Sequence, residues 1–235
     1  MAKKQPNKQK KQKGQTAFAV IGIFVIGLMV VAALIYTTNP LLFKKTKVNG
    51  PDLSIPRSMT EDGLHYLGSL DAPIKIRLYE DYACPNCKRF FDKTEPLLFQ
   101  NYVATGNVGI EFYPVAIVNS SSLPAAEAVS CADEQGYYWE YRQIVFLNQG
   151  NKVFNRDTFG IFADIVGLDL NAFYSCYDQG KYKQQIVDQS NAAQQFGVRG
   201  TPTFEINGKR YPEPGETSIP NIFEILDNLL LEVGQ

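Results

Sequence analysis

Apolar and polar residues alternate through "DAPIKIRLYED", residues 71–81. Ile74, Ile76 and Leu78 alternate with Lys75 and Arg77. A period of two residues is typical of a β-strand that buries one of its faces. The pattern therefore predicts a strand that ends just before the sequence CPNC.

The next segment changes period. "CKRFFDKTEPLLFQNYV", residues 87–103, has a helical pattern in which Pro96 predicts a kink. "NVGIEFYPVAI", residues 107–117, then predicts a second strand. Strand, helix and strand at this spacing form a βαβ unit, so we expect the two strands to be parallel.

A long helical block follows. The pattern predicts four or five helices between about 121 and 197, and then a hairpin that turns at Asn207-Gly208. "SIPNIFEILDNLLLEV", residues 218–233, predicts a closing amphipathic helix. The predicted fold class is α/β, a split α/β domain with an inserted all-α subdomain at about 120–197.

The N-terminal part of the chain has a different composition. Residues 17–36 contain no charged side chain and follow a stretch, 1–16, that holds six lysines and no acid. Twenty apolar residues span about 30 Å as a helix, which predicts a transmembrane anchor, although a lysine-rich lead is also typical of a cleaved signal peptide. The predicted order is a basic cytoplasmic tail, the anchor, a linker at 37–63 and a domain at 64–235.

This arrangement predicts the location of the domain. Loops rich in lysine stay in the cytoplasm, so the C-terminal domain is expected outside the cell membrane, where disulfides persist. The formal net charge of the whole chain is −1. Because the acidic residues outnumber the basic ones beyond the lysine-rich tail, and no basic patch contains interleaved aromatics, we expect no nucleic-acid partner.

The candidate chemistry lies in CPNC. Cys84 is expected where the first strand meets a helix, so unpaired backbone N–H groups and the helix dipole favour its thiolate. Pro85 suits the first helical position, and Asn86 completes the dipeptide that tunes the pair. Cys87, about one turn later, is within disulfide reach but shielded. We therefore expect an exposed, nucleophilic Cys84 and a resolving Cys87.

Three other interpretations of the pair remain open on the residues alone. A zinc site could recruit Cys131 and Cys176, but zinc ligands usually come as a second close pair. CPNC could be an inert structural crosslink. A copper-transfer site would need nearby histidine or methionine, whereas His65 lies before the first strand and Met59 lies in the predicted linker.

Three stretches together resemble the DsbA-like thioredoxin-fold thiol:disulfide oxidoreductases of bacteria, in their membrane-anchored branch. They are "LHYLGSLDAPIKIRLYEDYACPNCKRFF", "CADEQGYYWEY" and "FGVRGTPTFEINGK". The likeness runs from about Leu64 to Leu231. CPxC after a strand, followed about 115 residues later by Gly-Thr-Pro-Thr-Phe, is its most specific part.

The resemblance implies further site residues. Pro202 is expected to follow a cis peptide bond and to face CPNC, and Thr201 is expected to offer its backbone to an extended substrate. Cys131 and Cys176 are expected to form a structural disulfide, which an even cysteine count in an exported chain also favours. The chain departs from the family where Leu78 stands in place of a buried acid, and where Asn86 replaces the histidine of strongly oxidising relatives.

The expected function is therefore that of an extracytoplasmic thiol:disulfide oxidoreductase that needs no cofactor or metal. Its expected partners are unfolded exported proteins with cysteine thiols, and a quinone-linked membrane protein, DsbB- or VKOR-like, that reoxidises it. The lipid bilayer is a further partner through residues 17–36. A disulfide isomerase or reductase with the same site is the rival enzyme, and a metal-delivery module is the rival without catalysis.

Overall fold

A computed structural model describes residues 54–213 and 220–233. Within these ranges, no helix is both long and apolar enough to cross a bilayer. The predicted tail and anchor lie outside the described residues, as does the predicted linker up to residue 53.

The described strands form one mixed sheet. Their order is β1-β2-β4-β3-β5-β6, with β3 and β4 parallel and the other neighbours antiparallel. The strands are β1 Arg57–Met59, β2 His65–Leu67, β3 Ile74–Glu80, β4 Val108–Pro114, β5 Thr203–Ile206 and β6 Lys209–Tyr211. The predicted parallel βαβ unit is confirmed by the pairing of β3 with β4.

Helices connect and cover the strands. Between β3 and β4 lie α1 Pro85–Lys93, α2 Glu95–Leu98 and a π-helical segment Phe99–Val103. The block between β4 and β5 contains α3 Ser122–Asp133, α4 Tyr138–Asn148, α5 Arg156–Val166, α6 Leu170–Asp178 and α7 Lys183–Gln195, and α8 Ile222–Val233 follows β6. The predicted mixed α/β, thioredoxin-like fold with a helical insertion is confirmed.

Local sequence explains several element ends. The side chains of Asn155 and Asp169 accept hydrogen bonds from the first backbone N–H groups of α5 and α6. The hairpin turns at Asn207 and Gly208, both with positive φ, as a two-residue turn of this kind requires. The helix breaks before Pro96 and is not only kinked there: α1 ends at Lys93 with Thr94 as its C-cap, and Pro96 lies in the first turn of α2. The reason is that proline has no backbone N–H to donate the hydrogen bond that would continue α1.

The sheet begins earlier than the sequence pattern predicts. Strand β1 lies inside the predicted linker 37–63, and pairs with β2 through Ser58 and Tyr66. Strand β2 in turn pairs with β4, through Leu67 and Ile110. Each of these added strands has only three residues, which is too short to display a period of two.

The core lies mainly on one face of the sheet. Ile74, Ile76 and Leu78 of β3 point into it with at most 1% of their surface exposed. Tyr79 of β3 belongs to a smaller apolar cluster with Ala193 of α7. Helices therefore cover both faces, and β3 is central enough to fix CPNC rigidly at its carboxyl end.

Candidate active site

CPNC stands at the junction that the sequence predicts. Strand β3 ends at Glu80, Cys84 has extended backbone angles of −81° and 120° as the N-cap of α1, and Pro85 is the first helical residue. Pro85 and Asn86 are exposed to solvent. The backbone N–H groups at the start of α1 are thus directed towards the Cys84 sulfur.

The chain returns to this point 117 residues later. The peptide bond between Thr201 and Pro202 is cis. The Cys84 thiol donates to the Thr201 carbonyl oxygen with a sulfur–oxygen distance of 3.1 Å. Since β5 starts at Thr203 and pairs with β3, the sheet itself brings the Thr-Pro segment beside CPNC.

The expected exposure of Cys84 is wrong. Cys84 has 4% of its surface exposed and Cys87 has 2%, and the two thiols are not joined to each other. Sequence position alone suggested an open N-terminal thiol, but the segment around Thr201 covers it. The two cysteines therefore differ in their hydrogen bonds and not in their exposed fraction.

Their protonation differs strongly. The Cys87 thiol donates to the Cys84 sulfur, and this bond outweighs burial and lowers the pKa of Cys84 from 9.0 to about 6. Hydrogen bonds from the backbone N–H groups of Cys87 and Asn86 lower the pKa further. Burial raises the pKa of Cys87 well above its ordinary value. At neutral pH the pair thus offers a thiolate at Cys84 and a proton at Cys87.

Leu78, at the position where the family resemblance leads us to expect a buried acid, is itself buried and apolar. The buried acid on the same face of β3 is Glu80, two residues nearer to CPNC. Its carboxylate accepts from Arg142 of α4 at 2.6 and 2.7 Å, and Arg142 also donates to Glu95 at 2.6 and 2.9 Å. Burial raises the pKa of Glu80, while Arg142 opposes the rise.

The sequence analysis missed this triad of Glu80, Glu95 and Arg142. The bonded pairs are 47 and 62 positions apart in sequence, and no local motif relates their members. The signal that could have indicated Arg142 is its place on the apolar face of the helical stretch "YYWEYRQIVF", four residues after Tyr138 and four before Phe146.

Gln149 is another missed contributor. It follows α4 directly, and its side-chain Nε2 donates to the carbonyl oxygens of Tyr82 at 2.7 Å and Cys84 at 3.1 Å. Asn119, after β4, donates to the Ala83 carbonyl oxygen at 3.3 Å. The backbone around Cys84 is therefore held from the helical insertion as well as from the sheet.

Cys131 of α3 and Cys176 of α6 form a disulfide within the insertion, with their Cα atoms 5.8 Å apart. Both are buried. The four cysteines thus form two separate pairs, and Cys131 and Cys176 do not complete a zinc site with Cys84 and Cys87. No group of three or more potential metal ligands is present in the part of the chain that the structure describes.

Comparisons with known proteins agree with this geometry. A family model described as Thioredoxin matches residues 60–223. Disulfide bond formation protein D of Bacillus subtilis is 25% identical over 153 residues, which cover 63% of this chain and 69% of that protein. The crystal structure of oxidised BdbD from Bacillus subtilis superposes with a TM-score of 0.63 at 20% identity, over 80% of this chain and 98% of that one.

A second kind of relative is much longer. A Na⁺/H⁺ antiporter, NhaA 1, of Salinispora arenicola is 29% identical over 162 residues, or 68% of this chain. The chain spans about a quarter of that antiporter's length, 24%.

The crystal structure of BdbD is 20% identical in sequence to this chain, so its superposition is evidence that the two share a fold.

Proposed function

This chain belongs to the thioredoxin family, among its DsbA-like thiol:disulfide oxidoreductases, and we propose that it forms disulfides in exported proteins through Cys84 and Cys87. The observation that carries the proposal is the opposed protonation of the two thiols, with the pKa of Cys84 lowered to about 6 and that of Cys87 raised. A stabilised Cys84 thiolate favours the reduced pair, which makes the disulfide form a better oxidant.

The proposed reaction begins with the Cys84–Cys87 disulfide. A substrate thiolate attacks the Cys84 sulfur, a mixed disulfide forms, and Cys87 leaves as a thiolate and takes up a proton. A second substrate thiolate then attacks the substrate sulfur of the mixed disulfide, which releases the Cys84 thiolate. The substrate loses two electrons and forms its disulfide, and the cysteine pair gains both electrons.

Thr201 and Pro202 are the proposed substrate-binding residues. The Thr201 carbonyl oxygen lies 3.1 Å from the Cys84 sulfur, so an extended substrate segment that pairs with this backbone would bring its own sulfur alongside. Backbone pairing is independent of side-chain identity, which suits an enzyme that accepts many unfolded proteins.

The reduced pair needs an oxidant to turn over again. The proposed oxidant is a quinone-linked membrane protein, DsbB- or VKOR-like. Residues 17–36 are the proposed anchor that keeps the domain near this protein, on the extracytoplasmic face of the cell membrane. Twenty uncharged residues after six lysines support this topology. Protease added to intact spheroplasts should remove the C-terminal domain, and protection of the domain would contradict the proposed topology.

The reduction potential tests the direction of electron flow. After equilibration with mixtures of reduced and oxidised glutathione, alkylation should report a potential between about −120 mV, typical of a strong oxidase, and about −270 mV, typical of a reductase. The oxidised protein should also remove thiols from a reduced, unfolded substrate protein, and a Cys84→Ser variant should not. A potential below about −270 mV would favour a reductase instead.

A further inference from the structure

Asp81 directly follows β3, three residues before Cys84, and its side chain is an unusual acceptor. It has no exposed surface. Its Oδ1 accepts from the Ala83 backbone N–H at 2.8 Å, and its Oδ2 accepts from the N–H groups of Ile117 and Val118 at 2.9 and 3.0 Å. Three N–H donors converge on this side chain, so both of its terminal atoms must be acceptors. Among side chains of this size, an ionised carboxylate has two acceptor atoms.

The backbone of the same residue contacts both cysteines. The Asp81 carbonyl oxygen accepts from the Cys84 N–H at 3.0 Å. The Asp81 N–H donates to the Cys87 sulfur with a nitrogen–sulfur distance of 3.5 Å. A donor on a sulfur favours the thiolate, so this contact partly offsets the burial that disfavours ionisation of Cys87.

Together these contacts form one clamp. The carboxylate joins the segment before Cys84 to the loop after β4. It belongs to the same residue whose backbone carbonyl and N–H contact Cys84 and Cys87. We propose that Asp81 is a positioning residue for reoxidation of the reduced pair, in the resolving step in which the Cys87 thiolate attacks the Cys84 sulfur of a mixed disulfide. Its carboxylate fixes the backbone N–H that supports this thiolate. The inference rests on the proposed function, since it assumes exchange at these two sulfurs.

The resolving step can be isolated with oxidised glutathione. The Cys84 thiolate of the reduced protein first attacks this disulfide, which leaves a Cys84–glutathione mixed disulfide and one glutathione thiolate. Cys87 then loses its proton and attacks the Cys84 sulfur. The Cys84–Cys87 disulfide forms, the bond to glutathione breaks, and a second glutathione thiolate leaves.

Asp81→Asn is the first variant, because it keeps the size of the side chain and places an NH₂ group against donors. Acid quenching and mass spectrometry separate the two steps by following the glutathione adduct. We expect the resolving step to slow by about tenfold or more, which is the effect of one lost buried hydrogen bond to a charged group, and the first attack to change by less than about twofold. The matched control is Asp92→Asn on α1, whose carboxylate pairs with Lys88 and should leave both steps unchanged.

A second pair of variants tests the clamp from its donor side, in case Asp81→Asn does not fold. Val118→Pro removes one of the three N–H groups, whereas Val118→Ala keeps it. Val118 lies between β4 and α3 with 40% of its surface exposed, so neither change disturbs the core. We expect Val118→Pro to slow the resolving step relative to Val118→Ala, with the first attack again unchanged.

The possible outcomes separate this inference from the proposed function. Equal resolving rates in the wild type and Asp81→Asn, or in the two Val118 variants, would overturn the positioning role while leaving the exchange function intact. Slowing of both steps to the same extent, together with a lower melting midpoint, would also overturn it in favour of a purely structural role. A wild-type protein that forms no glutathione adduct would refute the proposed function itself.

Discussion

The ionisation of Cys84 gives the sharpest quantitative prediction. A thiol with a pKa of about 6 is about nine-tenths ionised at pH 7, whereas one at 9.0 is about one-hundredth ionised. The rate of iodoacetamide modification follows the thiolate fraction. Measured from pH 4 to 10 on the reduced protein, with the site assigned by peptide mapping, this rate should titrate with a midpoint near 6.

The perturbation is the removal of the hydrogen bond that contributes most to this shift. Cys87→Ala deletes the donor to the Cys84 sulfur and should raise the midpoint towards 9.0. Cys87→Ser keeps a donor and should give an intermediate midpoint. The midpoint should stay below 9.0 in both variants, because the backbone N–H groups at the start of α1 remain. If Cys87→Ala titrates with the wild-type midpoint, the assignment of the shift to Cys87 is refuted.

The same shift predicts how stability depends on pH. Cys84 is an acid whose pKa is lower in the folded state, so its contribution is complete above about pH 9 and is lost as the pH falls through about 6. At pH 7 it amounts to about 1.4 kcal/mol, and it grows by about 1 kcal/mol from pH 6 to pH 7. The difference in urea unfolding free energy between the reduced wild type and Cys84→Ser should show this rise, and a flat difference would contradict it.

Three further predictions concern residues around the pair. Arg142→Met should lower the free energy of unfolding in urea by about 3–5 kcal/mol, because it leaves two buried glutamates unpaired. Arg156→Met, which removes an exposed ion pair with Asp178, should have a much smaller effect. Replacing Cys131 and Cys176 together by alanine should cost about 4 kcal/mol in the same assay, since the disulfide closes a loop with a sequence separation of 45. Asn86→His should make the reduction potential less negative, by about 30 mV for each 1.4 kcal/mol of added thiolate stabilisation. An unchanged equilibrium with glutathione would show that this exposed position does not tune the potential of the pair.

Much of the fold follows from local patterns. The alternation in β3, the proline at the start of α1 and the Asn-Gly turn are each determined by residues close in sequence. Strands β1 and β2 are different, because a three-residue strand is stabilised by the edge that it pairs with, here β4, and not by its own pattern. The sequence pattern does not locate the break at Thr94, because proline acts on the turn before it and the helix ends ahead of Pro96.

The residues of the site also fall into two groups, those that the sequence predicts and those that only the folded structure reveals. The positions of Cys84 and Cys87 follow from a strand, a proline and a helix, and the Thr201-Pro202 segment follows from the family resemblance. The Arg142 triad, the Gln149 contacts and the cover over Cys84 depend on residues brought together from distant parts of the chain. They become visible only when the helical insertion has been placed against β3.

The contact between Cys84 and Thr201 has a consequence for the order of events during synthesis. The two residues are 117 positions apart, with the helical insertion between them. A ribosome adds about 5–20 residues per second, so CPNC exists for several seconds or longer before the segment that completes its surroundings has been made. During that interval the nascent chain has neither the sheet pairing that brings Thr201 to the pair nor the covered thiol. Cys84 therefore acquires its mature reactivity only after residue 201 has been translated and the chain has folded.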